Sequence, residues 1–197
     1  IACKKAIDQT VSLFGGLDVL VNNAGFNDGL GLETPPEDFM LSVQNNLLHV
    51  YAMTHYALPL LRKVQGCLVN LGSKVSETGQ GHTSAYAAAK GAISALTREW
   101  AVALAPDKIR VNCVIPAECL SDQYEQFFLS QVEPKAAKKA ISELVPFAQR
   151  FTTPQEIAQT IVFLASGRSS HTTGQLVFVD GGYTHFDRAV GHGHNKW

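Results

Sequence analysis

The chain has 197 residues, 46% of them apolar and 17% charged, with a formal net charge of −1. That length suits one domain with a sizeable core, and the balanced charge gives no reason to expect binding to nucleic acid or to an anionic membrane surface. Because no apolar run reaches the roughly 20 residues that span a bilayer and no signal peptide is visible, the composition predicts a soluble globular protein.

The cysteines predict free thiols and no metal site. None of them forms a C-x-x-C pair, and no histidine stands at metal-ligand spacing from them. Cys67 and Cys113 fall at apolar strand positions and are interpreted as small buried hydrophobic residues. Since free thiols fit a reducing compartment, we expect a cytoplasmic protein.

The chain opens with a helix and a strand. Residues 1–15 have an amphipathic pattern that stops at Gly15–Gly16, and the apolar run Leu17–Asn22 suits a buried parallel strand. Asn22-Asn23-Ala24-Gly25 then turns the chain, and small residues beyond a strand's carboxyl end let backbone approach a ligand. Because Ile1 already lies inside a helical pattern, we expect the front of the protein to be missing.

A long helix and a second strand come next. Thr34-Pro35-Pro36-Glu37 has a capping residue, Pro in the first turn and Glu three positions on, which predicts a helix that runs to about Lys63. Asn46 lies inside this helix, where it would either face solvent or bond backbone carbonyls. We expect a strand over Gly66–Gly72 and a loop over 73–82.

The segment from Ser73 to Lys90 has the clearest chemistry. Tyr86 and Lys90 stand at i and i+4 on an Ala-rich helix with Thr83 or Ser84 as its N-cap, so their Cβ atoms lie about 5–6 Å apart on one face. A nearby ammonium would lower the tyrosine pKa from about 10, giving a group that exchanges a proton with an alcohol or ketone oxygen, which Ser73 would also hold. An isolated Y-x-x-x-K more often belongs to an ordinary amphipathic helix.

The last third of the chain continues the alternation of strands and helices. The apolar runs Ile109–Ile115 and Gly174–Asp180 predict two strands. Between them, the segment Asp122–Leu144 predicts two short helices around Pro134. The capping box Thr153-Pro154-Gln155-Glu156 predicts a further helix that ends near Ser166. This alternation predicts one doubly wound, parallel α/β domain. Residues 189–197 are expected to be a disordered tail, with metal binding by His192 and His194 as the alternative.

The motifs together resemble the short-chain dehydrogenase/reductase family over about residues 1–188. The resemblance rests on Ser73, Tyr86-x-x-x-Lys90 and Asn22-Asn23-Ala24-Gly25, and Asn46 matches the family's fourth catalytic position better than Asn45 does, since it stands thirteen residues before Pro59. Several further segments resemble a sugar-oxidising branch of the family. The resemblance implies a Rossmann-like fold and hydride transfer between a nicotinamide cofactor, NAD or NADP, and a sugar or other secondary alcohol, with an L-fucose-like aldose favoured.

The family's site residues transfer to matching positions of this chain. Tyr86 would be the general base, Lys90 would lower its pKa and bond the nicotinamide ribose, and Ser73 and Asn46 would position the reacting oxygen and support a proton relay. The implied cofactor-binding residues are Asn23, Ala24, Gly25, Tyr86, Lys90, Ile115, Pro116, Ala117 and Ser121. In the segment where the family has P-G-x-x-x-T, this chain has Ala117 in place of Gly and Ser121 in place of Thr. The implied substrate-binding residues are Lys74, Gln80, His82, Glu118 and Tyr124.

Two of those substrate candidates have alternative interpretations. Glu118 would accept hydrogen bonds from two sugar hydroxyls, since each buried hydroxyl needs a partner, or it would be a solvated loop acid. His82 is interpreted as a hydrogen-bonding loop residue near the site, not as a catalytic group. A mobile substrate lid is implied over Asp122–Leu144.

One feature of the family is absent from the sequence. No T-G-x-x-x-G-x-G turn, which would place a pyrophosphate at a helix N-terminus, precedes Asn22. We therefore expect residues 1–188 to be the C-terminal two-thirds of a single dehydrogenase domain with an exposed edge strand. On their own, these residues are expected to bind cofactor poorly or not at all and to be inactive. The complete protein is predicted to be a homo-oligomeric dehydrogenase, a dimer or tetramer. The alternatives are a 3-oxoacyl or small-ketone reductase, or an inactive chain that assembles with a full-length relative.

Overall fold

The computed structural model describes residues 2–186. They form one parallel sheet in the strand order β1-β2-β3-β4, the order of the strands along the chain. The strands are β1 (Val19–Asn22), β2 (Cys67–Leu71), β3 (Arg110–Pro116) and β4 (Leu176–Val179). All four lie where the sequence predicts strands, and the predicted parallel α/β architecture is confirmed. The predicted disordered tail, His192 and His194 lie outside the described residues.

The helices connect the strands and cover the sheet. They are α1 (Ala2–Phe14), α2 (Pro36–Val43), α3 (His49–Val64), α4 (Ser84–Ala103), α5 (Asp122–Leu129), α6 (Pro134–Ser142) and α7 (Pro154–Ala165). None of the helices in the described part of the chain is long and apolar enough to cross a membrane.

Two hydrophobic layers fix the sheet between helices. On one face, Leu68 and Val111 pack with Leu61 of α3 and Ala101 of α4, and α1 adds Ile7. On the other face, the apolar side chains of β2 and β3 pack against α7, chiefly through Val69, Leu71, Val114, Ile157 and Leu164. Because successive strand residues point to opposite faces, both layers need apolar residues along the same strands, which explains the nearly continuous apolar runs in the sequence.

A buried polar network lies within the first of these layers. Asn22 of β1 and Asn70 of β2 are register partners, and the Asn22 amide donates to the Asn70 oxygen (2.9 Å) and to the Thr54 hydroxyl (3.2 Å). The Asn70 amide in turn donates to the Thr97 hydroxyl at 3.0 Å. Since buried polar groups are costly without partners, this network links β1, β2, α3 and α4 through satisfied hydrogen bonds.

The long helix predicted from Thr34 to Lys63 differs from the observed one. Between α2 and α3, residues Gln44–Leu48 form a π-helical turn, so the helix is locally underwound around Asn46. The predicted capping box at Thr34 is wrong, because Pro35 is the N-cap and no side chain caps the helix. The box predicted at Thr153 is confirmed, since its side chain and that of Glu156 bond each other's backbone N–H groups.

Candidate active site

The catalytic candidates converge at the carboxyl ends of the strands. Ser73 lies two residues beyond β2, Tyr86 and Lys90 occupy the first two turns of α4, and Asn46 lies in the π-helical turn. The predicted loop over 73–82 includes a short 3₁₀ turn, Lys74–Ser76, which begins at Ser73. This edge is where open α/β sheets bind ligands.

Tyr86 is mostly buried and hydrogen bonds with the Ser73 side chain. Burial raises the pKa of the Tyr86 phenol above its ordinary value, and the hydrogen bond with Ser73 lowers it by a smaller amount. Burial has the larger effect, so the net shift of the Tyr86 pKa is upward, whereas the sequence predicts a downward shift. The Lys90 Nζ atom lies 5.5 Å from the centroid of the Tyr86 ring, close to its π face.

Lys90 is a buried lysine with a specific partner. Its side chain is 3% exposed, and Nζ donates to the Leu71 carbonyl at 2.8 Å. Burial lowers the pKa of Lys90 to about 8. An ammonium has three N–H donors, so Lys90 retains donor capacity for a ligand hydroxyl beyond its bond to Leu71.

The environment of Asn46 distinguishes it from Asn45. Asn46 is fully buried, its side-chain oxygen accepts from the Phe26 N–H at 2.9 Å, and its amide donates to the Ser42 carbonyl at 3.1 Å. Asn45 is exposed. The amide of Asn46 thus ties the loop after β1 to the π-helical turn, a contact that the sequence did not predict.

The Asn23-Ala24-Gly25 loop approaches the same residues. A Cβ atom at Gly25, which has φ +154°, would lie 3.2 Å from Asn46 Oδ1 and 3.4 Å from Lys90 Nζ. His49 donates from Nε2 to the Ala24 carbonyl at 2.9 Å, which fixes the loop from α3. Only a residue without a side chain brings the backbone this close to both catalytic candidates without strain.

A cavity of about 600 Å³ opens in front of Ser73 and Tyr86. Eight other predicted site residues also line it: Lys74, Gln80, His82, Pro116, Ala117, Glu118, Ser121 and Tyr124. Lys90, Asn46 and the loop 23–25 lie outside its lining. The side chain of Ile115 does not reach it either, because it is fully buried in the core with Val50 and Ile93.

Three of the substrate candidates bind one another. Glu118 is 3% exposed, its Oε1 pairs with the Lys74 ammonium, and its Oε2 accepts from the Tyr124 hydroxyl. The interpretation of Glu118 as a solvated loop acid is therefore wrong. Lys74 Nζ also lies 4.2 Å from the centroid of the Tyr183 ring, within the range of a cation–π contact.

The segment after β3 covers the cavity from one side. Tyr124 of α5 belongs to an aromatic cluster with Phe127, Phe128 and Phe151, with ring centroids 5.4–6.1 Å apart. Gln123 of α5 donates to the Asn27 carbonyl at 2.7 Å, which joins α5 to the loop after β1. Sequence reasoning missed Asn27, Gln123 and Tyr183 as lining residues, because no motif marks them and each reaches the site only through tertiary packing.

A profile of the family described as enoyl-(acyl carrier protein) reductase matches residues 1–184. The chain belongs to the short-chain dehydrogenase/reductase family. The family and the Rossmann-like fold predicted from the sequence are thus confirmed.

The relatives of this short-chain dehydrogenase/reductase are named for two different kinds of substrate. It is 35% identical to a 3-oxoacyl-[acyl-carrier-protein] reductase of Thermotoga maritima over 91% of this chain and 71% of that protein. It is also 35% identical to the L-fucose dehydrogenase of Mus musculus over 89% of this chain and 64% of that protein. The chain thus spans about two thirds of the length of these relatives.

Solved structures share the fold of this chain. The Cj0485 dehydrogenase superposes with a TM-score of 0.94 at 46% identity and covers 98% of this chain and 74% of its own. A gluconate 5-dehydrogenase from Burkholderia cenocepacia, in complex with NADP and tartrate, superposes with a TM-score of 0.84 at 28% identity, covering 94% and 71%.

The residues present fit the nicotinamide end of such a cofactor. The backbone at Gly25 leaves a space that a Cβ would fill, and the Lys90 ammonium beside it has donors available for a ribose hydroxyl. Pro116 at the end of β3, with Ala117 and Ser121 just after it, lines the cavity. Within residues 2–186, no group of three or more His, Cys, Asp or Glu side chains is placed so that it could hold a metal ion.

Proposed function

We propose that the complete protein is an NAD(P)-dependent dehydrogenase that oxidises a sugar or a similar polyol. The observation that favours this proposal is the hydrogen-bonded pair of Ser73 and Tyr86 side chains at the wall of a cavity of about 600 Å³. That volume suits a monosaccharide beside a nicotinamide ring, and the lining offers amide, hydroxyl, ammonium and carboxylate groups to substrate hydroxyls.

The proposed mechanism assigns one role to each catalytic residue. The Tyr86 oxygen takes the proton of the reacting hydroxyl, and Ser73 holds that hydroxyl oxygen while the proton moves. Lys90 stabilises the deprotonated phenol and binds the cofactor ribose, and Asn46 keeps the loop after β1 in place beside Lys90. The bound nicotinamide supplies the hydride acceptor.

Cofactor reduction with a panel of sugars tests this proposal. The complete gene product is mixed with NAD or NADP and with L-fucose, D-arabinose or L-galactose, and reduction is measured by absorbance. Turnover with at least one sugar that disappears in Tyr86→Phe supports the proposal, because this variant lacks only the phenolic oxygen. Cofactor binding by the Phe variant is the control for correct folding.

A reductase of 3-oxoacyl compounds or small ketones is the second candidate. The 35% identity to the Thermotoga maritima enzyme favours it as much as the same identity to L-fucose dehydrogenase favours sugars. Oxidation of NADPH or NADH by ketones, without turnover of any sugar, would establish this candidate. If cofactor neither binds nor turns over, the remaining candidate is an inactive chain that assembles with an active relative.

A homo-oligomer, either a dimer or a tetramer, is also proposed for the complete protein. This proposal rests on the family alone. Light scattering after size-exclusion chromatography measures the mass of the assembly directly, and a monomer at micromolar concentration would reject it.

A further inference from the structure

The two charged side chains that line the cavity have opposite charges and neutralise each other. Among the described residues that line it, Lys74 and Glu118 are the only Lys, Arg, Asp or Glu side chains. They form an ion pair with each other, and their side chains are 10% and 4% exposed. The remaining polar lining consists of amides, hydroxyls and the exposed His82, so the wall presents a net charge of zero.

The ion pair is held rigidly. Tyr124 donates to the second oxygen of Glu118, and burial keeps the pKa of this phenol above its ordinary value, so Tyr124 stays a donor. Tyr183 lies over the Lys74 ammonium. Each charged group therefore has its partner before any substrate arrives, as buried charges require.

A substrate carboxylate would bind in this cavity less favourably than an uncharged group. It would lose water without gaining an unpaired cation, and it would approach the carboxylate of Glu118. An uncharged polyol faces neither cost, because the amides and hydroxyls of the lining replace its hydrogen bonds to water. The fold alone does not determine whether the substrate is charged, since one structural relative is named as a gluconate 5-dehydrogenase.

We propose that Glu118 is a specificity-determining residue, which by neutralising Lys74 makes the pocket select uncharged polyols and reject sugar acids. This inference rests on the proposed dehydrogenase function and adds the charge of the substrate to it. Lys74 directly follows Ser73 in the chain, and the ion pair lines the same cavity as Ser73 and Tyr86.

The test compares an aldose with the uronate that differs from it only at C6, such as L-galactose and L-galacturonate. The ratio of kcat/KM for uronate to kcat/KM for aldose is measured with the complete gene product. Competitive inhibition by the uronate measures its binding when turnover is too slow. We expect the wild-type enzyme to favour the aldose.

Three variants change the wall charge in steps. Glu118→Gln leaves an unpaired ammonium at Lys74, and we expect the ratio to rise about 10- to 100-fold, the effect of one new charge-assisted hydrogen bond. Lys74→Gln leaves an unpaired carboxylate and should weaken uronate inhibition further. The double variant, Lys74→Gln with Glu118→Gln, restores zero net charge and should keep the wild-type preference.

The outcomes separate this inference from the proposed function. A ratio that changes less than about threefold in Glu118→Gln, or a double variant that behaves like Glu118→Gln, would overturn the inference. If Glu118→Gln does not fold, the opposite shift in Lys74→Gln and the neutral double variant decide it. If ketones are reduced and sugars are not, the sugar proposal fails. A neutral 3-oxo ester and its 3-oxo acid anion, tested in the same variants, then decide the charge preference independently.

Discussion

Replacing Asn46 tests the site most sharply, because Asn45 beside it is a matched control. Asn46 is fully buried, accepts from the Phe26 N–H at 2.9 Å and donates to the Ser42 carbonyl at 3.1 Å, whereas Asn45 is exposed. Each of these hydrogen bonds contributes about 1 kcal/mol, and the lost amide leaves a small cavity. We expect Asn46→Ala to lower the free energy of unfolding by about 2–3 kcal/mol, and Asn45→Ala to change it by less than about 0.5 kcal/mol.

The same substitution should also affect activity. The bond to Phe26 holds the loop that contains Gly25, and this loop lies against Lys90. We expect kcat/KM of the complete enzyme to fall at least about tenfold in Asn46→Ala and to stay near the wild-type value in Asn45→Ala. Urea denaturation followed by circular dichroism gives the stability, and cofactor reduction gives the activity. Equal losses in the two variants would show that the packing of Asn46 does not determine its role.

Three further predictions concern the site and the core. In Ser73→Ala the pH profile of sugar oxidation should move to higher pH, because the hydrogen bond from this serine lowers the pKa of Tyr86; an unshifted kcat/KM profile would contradict this. Burial lowers the pKa of Lys90 to about 8, so the unfolded chain binds this proton more tightly and the folded state gains stability as pH rises from about 8 to 10.5. Lys90→Met should remove that rise and increase the free energy of unfolding by about 1–3 kcal/mol at pH 7, measured by denaturation at a series of pH values. A Cβ at Gly66 would lie 2.2 Å from a backbone carbonyl oxygen, so Gly66→Ala should cost about 2 kcal/mol or more, while Gly16→Ala, with no atom within 4 Å, should be nearly neutral in the same assay.

The strands were predictable because their sequence signal is local. Each of the four is an apolar run bounded by glycine, proline or polar residues, and the sheet lies where these runs predict it. The spacing of Tyr86 and Lys90 predicts one helical face, and both side chains do turn toward the end of β2. The capping box at Thr153 formed for the same reason, since all of its partners lie within four residues.

Features that depend on distant residues were not predictable. Lys74 and Glu118 are 44 positions apart, and nothing in either segment indicates that they pair. The π-helical turn at Asn46 arises where the amide reaches both Phe26 and Ser42, and its residues have no distinctive pattern. Burial of Tyr86 likewise gives its pKa a net upward shift, whereas the spacing to Lys90 predicts a downward one. In each instance the deciding quantity is a tertiary contact or a degree of burial.

The hydrogen bond between Asn22 and Asn70 affects how precisely the residues of the site are positioned. A slip of two residues between neighbouring strands keeps every side chain on its own face, so apolar packing alone resists it weakly. Such a slip would place the Asn22 amide opposite Leu68 and leave it buried without its partner. It would also move the loop after β1 by about 6.6 Å relative to Ser73, which is more than catalysis tolerates. The paired amides therefore favour a single register between β1 and β2. In that register the loop after β1 lies beside the segment that begins at Ser73.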